Sequence, residues 1–398
     1  MASERRALRP PISATLRETE TVTPLELFFD LVFVLALTQC TALMAADPSW
    51  EGLARGLLIL GILWWAWVGY AWLTSVVDPE EGAVRIVMFA AMAGFLVVSL
   101  CIPEAFDDLG LTFAIAYGFV RGCQIALLAL AGEGDPGLQR SVAGLAGGTA
   151  VGVGLLVVAS FFDGGLQGGI WALALLLDMA EPYFFGADGW KLMPEHFAER
   201  HGLIVIIALG ESIVAIGVGA EVGVTAGVIT AAVLGITLAA AQWWAYFDVV
   251  ALVAGRRLAD LPAGREQNEM ARDSYSYLHF PMIAGIVLVA LAIKKTLGHV
   301  GDPLEVVPAF ALLGGLAMYL LAHVAFRLRN VHTLNTRRLA LAVVYLALLP
   351  LEVELPALAT LAIATVLFCL LIAYETIRYA EARDRVRHHL ADSLTPGS

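Results

Sequence analysis

Charge is scarce in this chain. Only 15% of its 398 residues are Asp, Glu, Lys or Arg, against about 25% in an average soluble protein, while 59% are hydrophobic. So little polar surface excludes a water-soluble globular domain and leaves an integral membrane protein. Cysteine is scarce too: Cys40, Cys101, Cys123 and Cys369 fall inside apolar runs with no CxxC spacing, which excludes a disulfide framework and a zinc knuckle and makes them packing residues. No P-loop, dinucleotide-binding glycine fingerprint or GxSxG elbow is present, and the longest loop expected on the cytoplasmic side (253–274) is too short for a catalytic domain. Neither an enzyme, a cofactor nor a metal is expected. The net charge of -12 comes with no basic stripe, which removes nucleic acid as a partner.

What is present is a series of long apolar runs. A membrane-crossing helix needs roughly 20 apolar residues, and twelve segments qualify: 25–46, 52–77, 84–103, 110–131, 139–162, 167–185, 202–220, 224–252, 275–297, 306–327, 338–353 and 355–378. Pro350 and Pro356 interrupt the last of these runs. Arg5, Arg6, Arg9 and Arg17 precede the first segment in the manner of a secretory signal, but that segment is longer than the roughly 7–15 residues of a signal core and contains acids, so it reads as an uncleaved span. If the N-terminus is cytoplasmic, 20 of the 24 Lys and Arg fall on the cytoplasmic side. Arg55, Lys294 and Lys295 lie outside and Arg121 lies within a span, a bias that fits an even number of crossings with both termini cytoplasmic.

The two halves of the chain echo one another. FAAMAGFLVVSLCI (89–102) lies over FPMIAGIVLVALAI (280–293), and WWAWVGY (64–70) over WWAYFDV (243–249). The expected fold is all-α, with about twelve transmembrane helices in two six-helix pseudo-symmetric repeats related by an axis along the membrane normal. The expected organisation is a cytoplasmic tail (1–22), a first repeat (23–186), a cytoplasmic linker (187–201), a second repeat (202–380) and a cytoplasmic tail (381–398).

Charges inside the spans are the candidates for function. Glu211 has about nine apolar neighbours on either side, and a charge at mid-bilayer costs roughly 2.5–3.5 kcal/mol on insertion scales. It is therefore protonated, paired or facing water; the plain alternative is a protonated glutamate that bonds a neighbouring helix. Arg121 keeps its charge and needs a carboxylate, for which Glu211, Asp178 and Glu181 are the candidates, as a fixed structural pair or as an anchor for an anionic solute. Glu26 and Asp30 lie roughly 40° apart around the first helix and Thr41 roughly 60° from Glu26, so one polar stripe must face protein or water. Thr23 and Glu26 also fit an N-terminal capping box after which Pro24 opens the helix, whereas Asp30 is too deep for a cap. With Asp178, Glu181, Asp248 and Glu375 added, the spans carry seven acids against one obligate cation, which argues for proton or cation handling.

Other groups carry weaker signals. His279 and His323 are flanked by apolar sequence and read either as polar sites inside the bundle or as bonded packing residues. His196 and His201 miss metalloprotease spacing and read as a juxtamembrane segment. Trp64, Trp65, Trp67, Tyr70 and Trp72, with Trp243, Trp244 and Tyr246, line a solute pocket or face lipid. Gly144, Gly148 and Gly152 form a ladder that lets helices approach closely.

The stretches ELFFDLVFVLALTQ at the start and RHGLIVIIALGESIVAIG (200–217) resemble the low-temperature-requirement protein A (LtrA) family of bacterial membrane proteins. The resemblance implies a polytopic inner-membrane protein whose loss is associated with poor growth in the cold; it implies no reaction. The expected function is a secondary transporter or permease for an unidentified small solute, with proton coupling left open. Its site candidates are Asp30, Arg121, Glu211, Glu26, Asp178, Asp248, His279 and His323. The expected partners are the lipid bilayer and a small-molecule or ion substrate, with a homo-oligomer left open. The alternative is a non-transporting scaffold or envelope-stress factor; an ion channel would want a ring of repeated polar groups, and the halves show none.

Overall fold

A computed structural model of the chain describes residues 17, 21–80, 82–184, 189–381 and 383–384. Arg5, Arg6, Arg9, Arg385 and Arg387, and with them most of the two expected tails, lie outside the described residues. Among the described residues every regular element is helical: α1 (Pro24–Ala46), α2 (Trp50–Val76), α3 (Gly82–Cys101), α4 (Gly110–Ala131), α5 (Pro136–Ala159), α6 (Gly164–Phe184), α7 (Pro194–Gly219), α8 (Ala226–Phe247), α9 (Val250–Ala259), α10 (Arg265–Met270), α11 (His279–Gly298), α12 (Val306–Val331), α13 (Thr336–Glu352) and α14 (Ala357–Arg378). A π-helical turn, Ala271–Tyr277, joins α10 to α11. Helices suit hydrocarbon because each satisfies its own backbone groups where no water is available.

Helix ends follow from local chemistry. Asp135 accepts from the backbone N–H of Gly137 and Leu138 to cap α5, with Pro136 in the first turn. Thr225 caps α8, and Asn335 caps α13 through Arg337 and Arg338; each answers N–H groups that a helix start leaves unbonded. The capping box on α1 forms as the sequence predicts, the Thr23 N–H reaching Glu26 Oε2 at 2.8 Å and the Glu26 N–H reaching Thr23 Oγ1 at 3.4 Å.

Among the described residues, ten helical stretches are long and apolar enough to cross a membrane, two fewer than the sequence predicts. α6 and α13 fall short. α6 opens on four glycines and a glutamine and ends on Asp178, Glu181 and Pro182, which dilute its apolarity. α13 has 17 residues and Pro350 near its end, short of the roughly 20 that a crossing needs. The outward surface is that of a membrane protein, with Leu27, Phe28 and Leu31 of α1 exposed while Glu26, Asp30 and Thr41 are buried.

The chain divides into two compact bodies. The first contains the start of α1, the end of α2, α3 to α6 and the start of α7; within it α3 packs on α4, and α5 on α6. The second contains the rest of α1, α2 and α7 together with α8, α9 and α11 to α14. Within it α11 lies along α12 so closely that a Cβ on Gly285 would come within 2.6 Å of the Gly315 carbonyl oxygen. Between apolar helices in lipid, contact of this kind supplies attraction that water would otherwise drive. In the first body Gly94, the counterpart of Gly285 in the sequence echo, likewise faces the next helix, where a Cβ would meet Phe119 and Val120 at 2.9 Å.

Candidate functional site

In the first body the two buried acid–base groups are closed. Glu26 is 0% exposed; its Oε2 faces the Arg17 guanidinium at 3.2 Å and its Oε1 meets His196 Nε2 at 2.8 Å. His196 Nδ1 meets Ser75 Oγ at 3.2 Å, while Arg17 also donates to the Thr74 carbonyl at 2.9 Å. The polar stripe of α1 thus turns inward onto α2 and the start of α7. Asp30 continues it, accepting from Trp67 Nε1 at 2.9 Å. Of the three acids offered to Arg121, Asp178 takes it, at 3.2 Å. The same guanidinium donates to Gln124 Oε1 at 3.0 Å and Thr149 Oγ1 at 2.8 Å, and Tyr117 OH donates to Asp178 at 3.4 Å. Gly69 makes room for Gln124, since a Cβ there would sit 2.4 Å from Gln124 Nε2. The expected glycine ladder also does its work here: a Cβ on Gly148 would press on Glu181 Cγ at 2.9 Å, and Gly152 lies beside Asp178.

In the second body Glu211 is held differently. It is 2% exposed and accepts from Thr38 Oγ1 at 2.6 Å; no arginine or lysine stands within salt-bridge distance among the described residues. A cavity of about 370 Å³ lies further along the same helices, lined by Ala42 and Ala45 of α1, Val218 and Gly219 of α7, and Lys294 and Lys295 of α11. Seven residues, or roughly 10 Å of helix, separate Glu211 from Val218.

A second group in this body surrounds the C-terminal end of α8. Arg338 donates to Glu375 Oε2 at 2.8 Å, to the Ala245 carbonyl at 3.0 Å and to His323 Nδ1 at 2.8 Å. Arg383 pairs with Asp248 at 2.7 Å. These pairs border a cavity of about 230 Å³. Deeper, Tyr246 OH lies 2.8 Å from His279 Nε2, and His279 Nδ1 lies 3.0 Å from the Ser274 carbonyl. A backbone carbonyl only accepts, so the Nδ1 proton belongs to that bond and Tyr246 donates to the bare Nε2. The π-helical turn makes Ser274 available, and Trp64 Nε1 uses another of its carbonyls, that of Ser276, at 2.8 Å.

Several sequence readings change. Glu26, Asp178, Asp248 and Glu375 are each ion-paired, so the excess of acid over base in the spans is smaller than counted. The missing cations are Arg17, Arg338 and Arg383, which sequence reading assigns to hydrated segments; long side chains reach inward from helix ends. His196 and His201, read as a juxtamembrane segment, are fully buried. Trp64, Trp65, Trp67 and Tyr70 are buried rather than lipid-facing, whereas Trp243 and Trp244 are exposed. One acid escaped the count: Glu352, at the end of α13, is buried, and neither carboxylate oxygen has a hydrogen-bond partner among the described residues.

Inward-facing polar groups on helices that show apolar residues outward define a polytopic membrane protein. Residues 21–373 match the family described as bacterial low temperature requirement A protein (LtrA), and the chain belongs to that family. An uncharacterized protein of Rhizobium meliloti (strain 1021), RA0937, is 30% identical over 311 residues, covering 74% of each chain. No solved structure matches the chain.

Proposed function

We propose that the protein is a proton-coupled secondary transporter for a small solute, not an enzyme, and that Glu211 is its proton-binding group. One observation carries this reading: Glu211 is a buried acid on an apolar helix that accepts from a hydroxyl, whereas Asp178 faces the Arg121 guanidinium. A carboxyl bonded to Thr38 exchanges a proton without stranding a guanidinium in hydrocarbon. The nearby cavity with its two lysines supports a water route to that carboxyl, and the buried Ser212 hydroxyl, which has no partner among the described residues, offers a station for one of those waters.

The two six-helix repeats belong to the same proposal; the sequence echo and the corresponding placing of Gly94 and Gly285 support them. So do cytoplasmic termini in the bacterial inner membrane, on the distribution of Lys and Arg. The contrary reading, a non-transporting scaffold, draws on the closed ion pairs around Arg121 and Glu26.

Reconstitution in proteoliposomes loaded with a pH-sensitive dye separates the two readings. Solute addition moves protons in wild type, and Glu211→Gln abolishes the movement while its melting temperature stays with that of wild type. Proton movement undiminished in Glu211→Gln overturns the proposal. Normal cold growth of a strain carrying only Glu211→Gln, with a protein more stable than wild type, favours the scaffold.

A further inference from the structure

We infer that the cavity at the end of α8 is a binding site for a small organic carboxylate. It is bordered by Trp244, His323, Arg327, Ile372 and Tyr379, beside the Arg338–Glu375 and Arg383–Asp248 pairs. Three guanidiniums therefore surround it against two carboxylates, and both carboxylates are already matched. The third guanidinium, Arg327, is exposed and its Nε donates to Thr333 Oγ1 at 2.9 Å, which leaves its terminal nitrogens as donors for an incoming acceptor.

The second recognising group is His323, which is 2% exposed. Arginine has no acceptor, so the Arg338 contact on His323 Nδ1 at 2.8 Å requires a bare lone pair there and puts the imidazole proton on Nε2. That Nε2 has no hydrogen-bond partner among the described residues. A buried N–H donor without an acceptor is costly, and here it belongs to a residue that lines a cavity. His323 and Arg327 are four residues apart on α12 and so share a face. Together they present an N–H and a guanidinium to one solute, a donor-only set that suits a carboxylate.

The rest of the wall sets the solute's other end. Trp244, 41% exposed, lines the same cavity as Ile372 and Tyr379, which gives the site an apolar stretch of wall. The cavity, of about 230 Å³, is of a size for a small organic solute. A short-chain fatty acid anion meets both requirements. Arg338 is a positioning residue in this scheme: it touches His323 and fixes which nitrogen carries the proton.

The test is binding to full-length detergent-purified protein, with no gradient, so it stands or falls independently of proton coupling at Glu211. Butyrate is the probe, with butyramide and butylamine as its neutral and cationic isosteres, read by calorimetric titration and thermal shift. Butyrate binds saturably and raises the melting temperature; the isosteres bind more weakly by a factor of ten or more. Arg327→Gln, an exposed substitution with little effect on the unliganded protein, weakens butyrate roughly tenfold or more, as expected for loss of a charge-assisted bond. Arg327→Lys restores part of that affinity. Equal binding of butyramide, preference for butylamine, undiminished binding in Arg327→Gln, or no saturable binding of butyrate each overturns the assignment. If butyrate binds and Glu211→Gln leaves proton movement intact, the carboxylate site stands and the coupling proposal falls.

Discussion

Glu211 and Glu26 show how differently two buried carboxylates are held. Thr38 donates to Glu211, so Thr38→Val takes a hydroxyl donor from a buried carboxyl and costs about 1–3 kcal/mol, measurable as a lower midpoint in chemical denaturation in detergent. Glu26 joins Arg17 and His196; Glu26→Ala strands a buried guanidinium and costs about 3–5 kcal/mol. Arg17→Met combined with Glu26→Ala recovers much of that loss in a double-mutant cycle, whereas simple additivity sinks the pairing argument. The acids themselves were legible in sequence because a charge amid apolar residues stands out. Their partners were not, because Arg17, Arg338 and Arg383 come from stretches whose composition is that of a hydrated helix end. No local pattern tells a hydrated arginine from one folded inward.

Individual helices were read with most success where a signal is local. The Thr23–Glu26 box is written within four residues and forms as read. α6 and α13 read as spans because continuous apolar length hides what the four glycines and closing acids of α6 and the shortness of α13 take away. Asp135, outside the spans, has its pKa lowered by the Leu138 backbone N–H, with Lys191 and Gly137 adding to the effect. A lowered folded-state value stabilises above the unfolded value near 3.8 and is lost as pH falls through the folded value. Asp135→Ala is therefore less stable than wild type at neutral pH, and the difference shrinks in acid below that point; a gap in melting temperature that holds constant down to strong acid refutes this role. Packing between helices gives a paired prediction. Gly285→Ala forces a Cβ onto the Gly315 carbonyl and costs about 1–3 kcal/mol. Gly154→Ala on α5, with nothing within 4 Å, is neutral or gains up to about 1 kcal/mol of helix preference. Thermal unfolding of the two variants side by side checks the contrast.

At the scale of the whole molecule, membrane residence follows from composition, and family membership from the match over residues 21–373. Whether α6 crosses the bilayer is decided by the loops at its ends. If it does, Asp163→Cys and Lys191→Cys, placed in a chain freed of its four native cysteines, react with an impermeant maleimide from opposite faces; labelling from one face makes α6 a half-inserted element. Tertiary grouping was the least legible level, since α1, α2 and α7 each contribute to both compact bodies and no boundary in the sequence marks where one gives way to the other. The seam where Gly285 meets Gly315 carries a thermal consequence for a protein of this family. Association driven by water weakens on cooling, but bare backbones pressed together inside lipid hold by dispersion, which chilling does not erode. That seam keeps its grip in the cold.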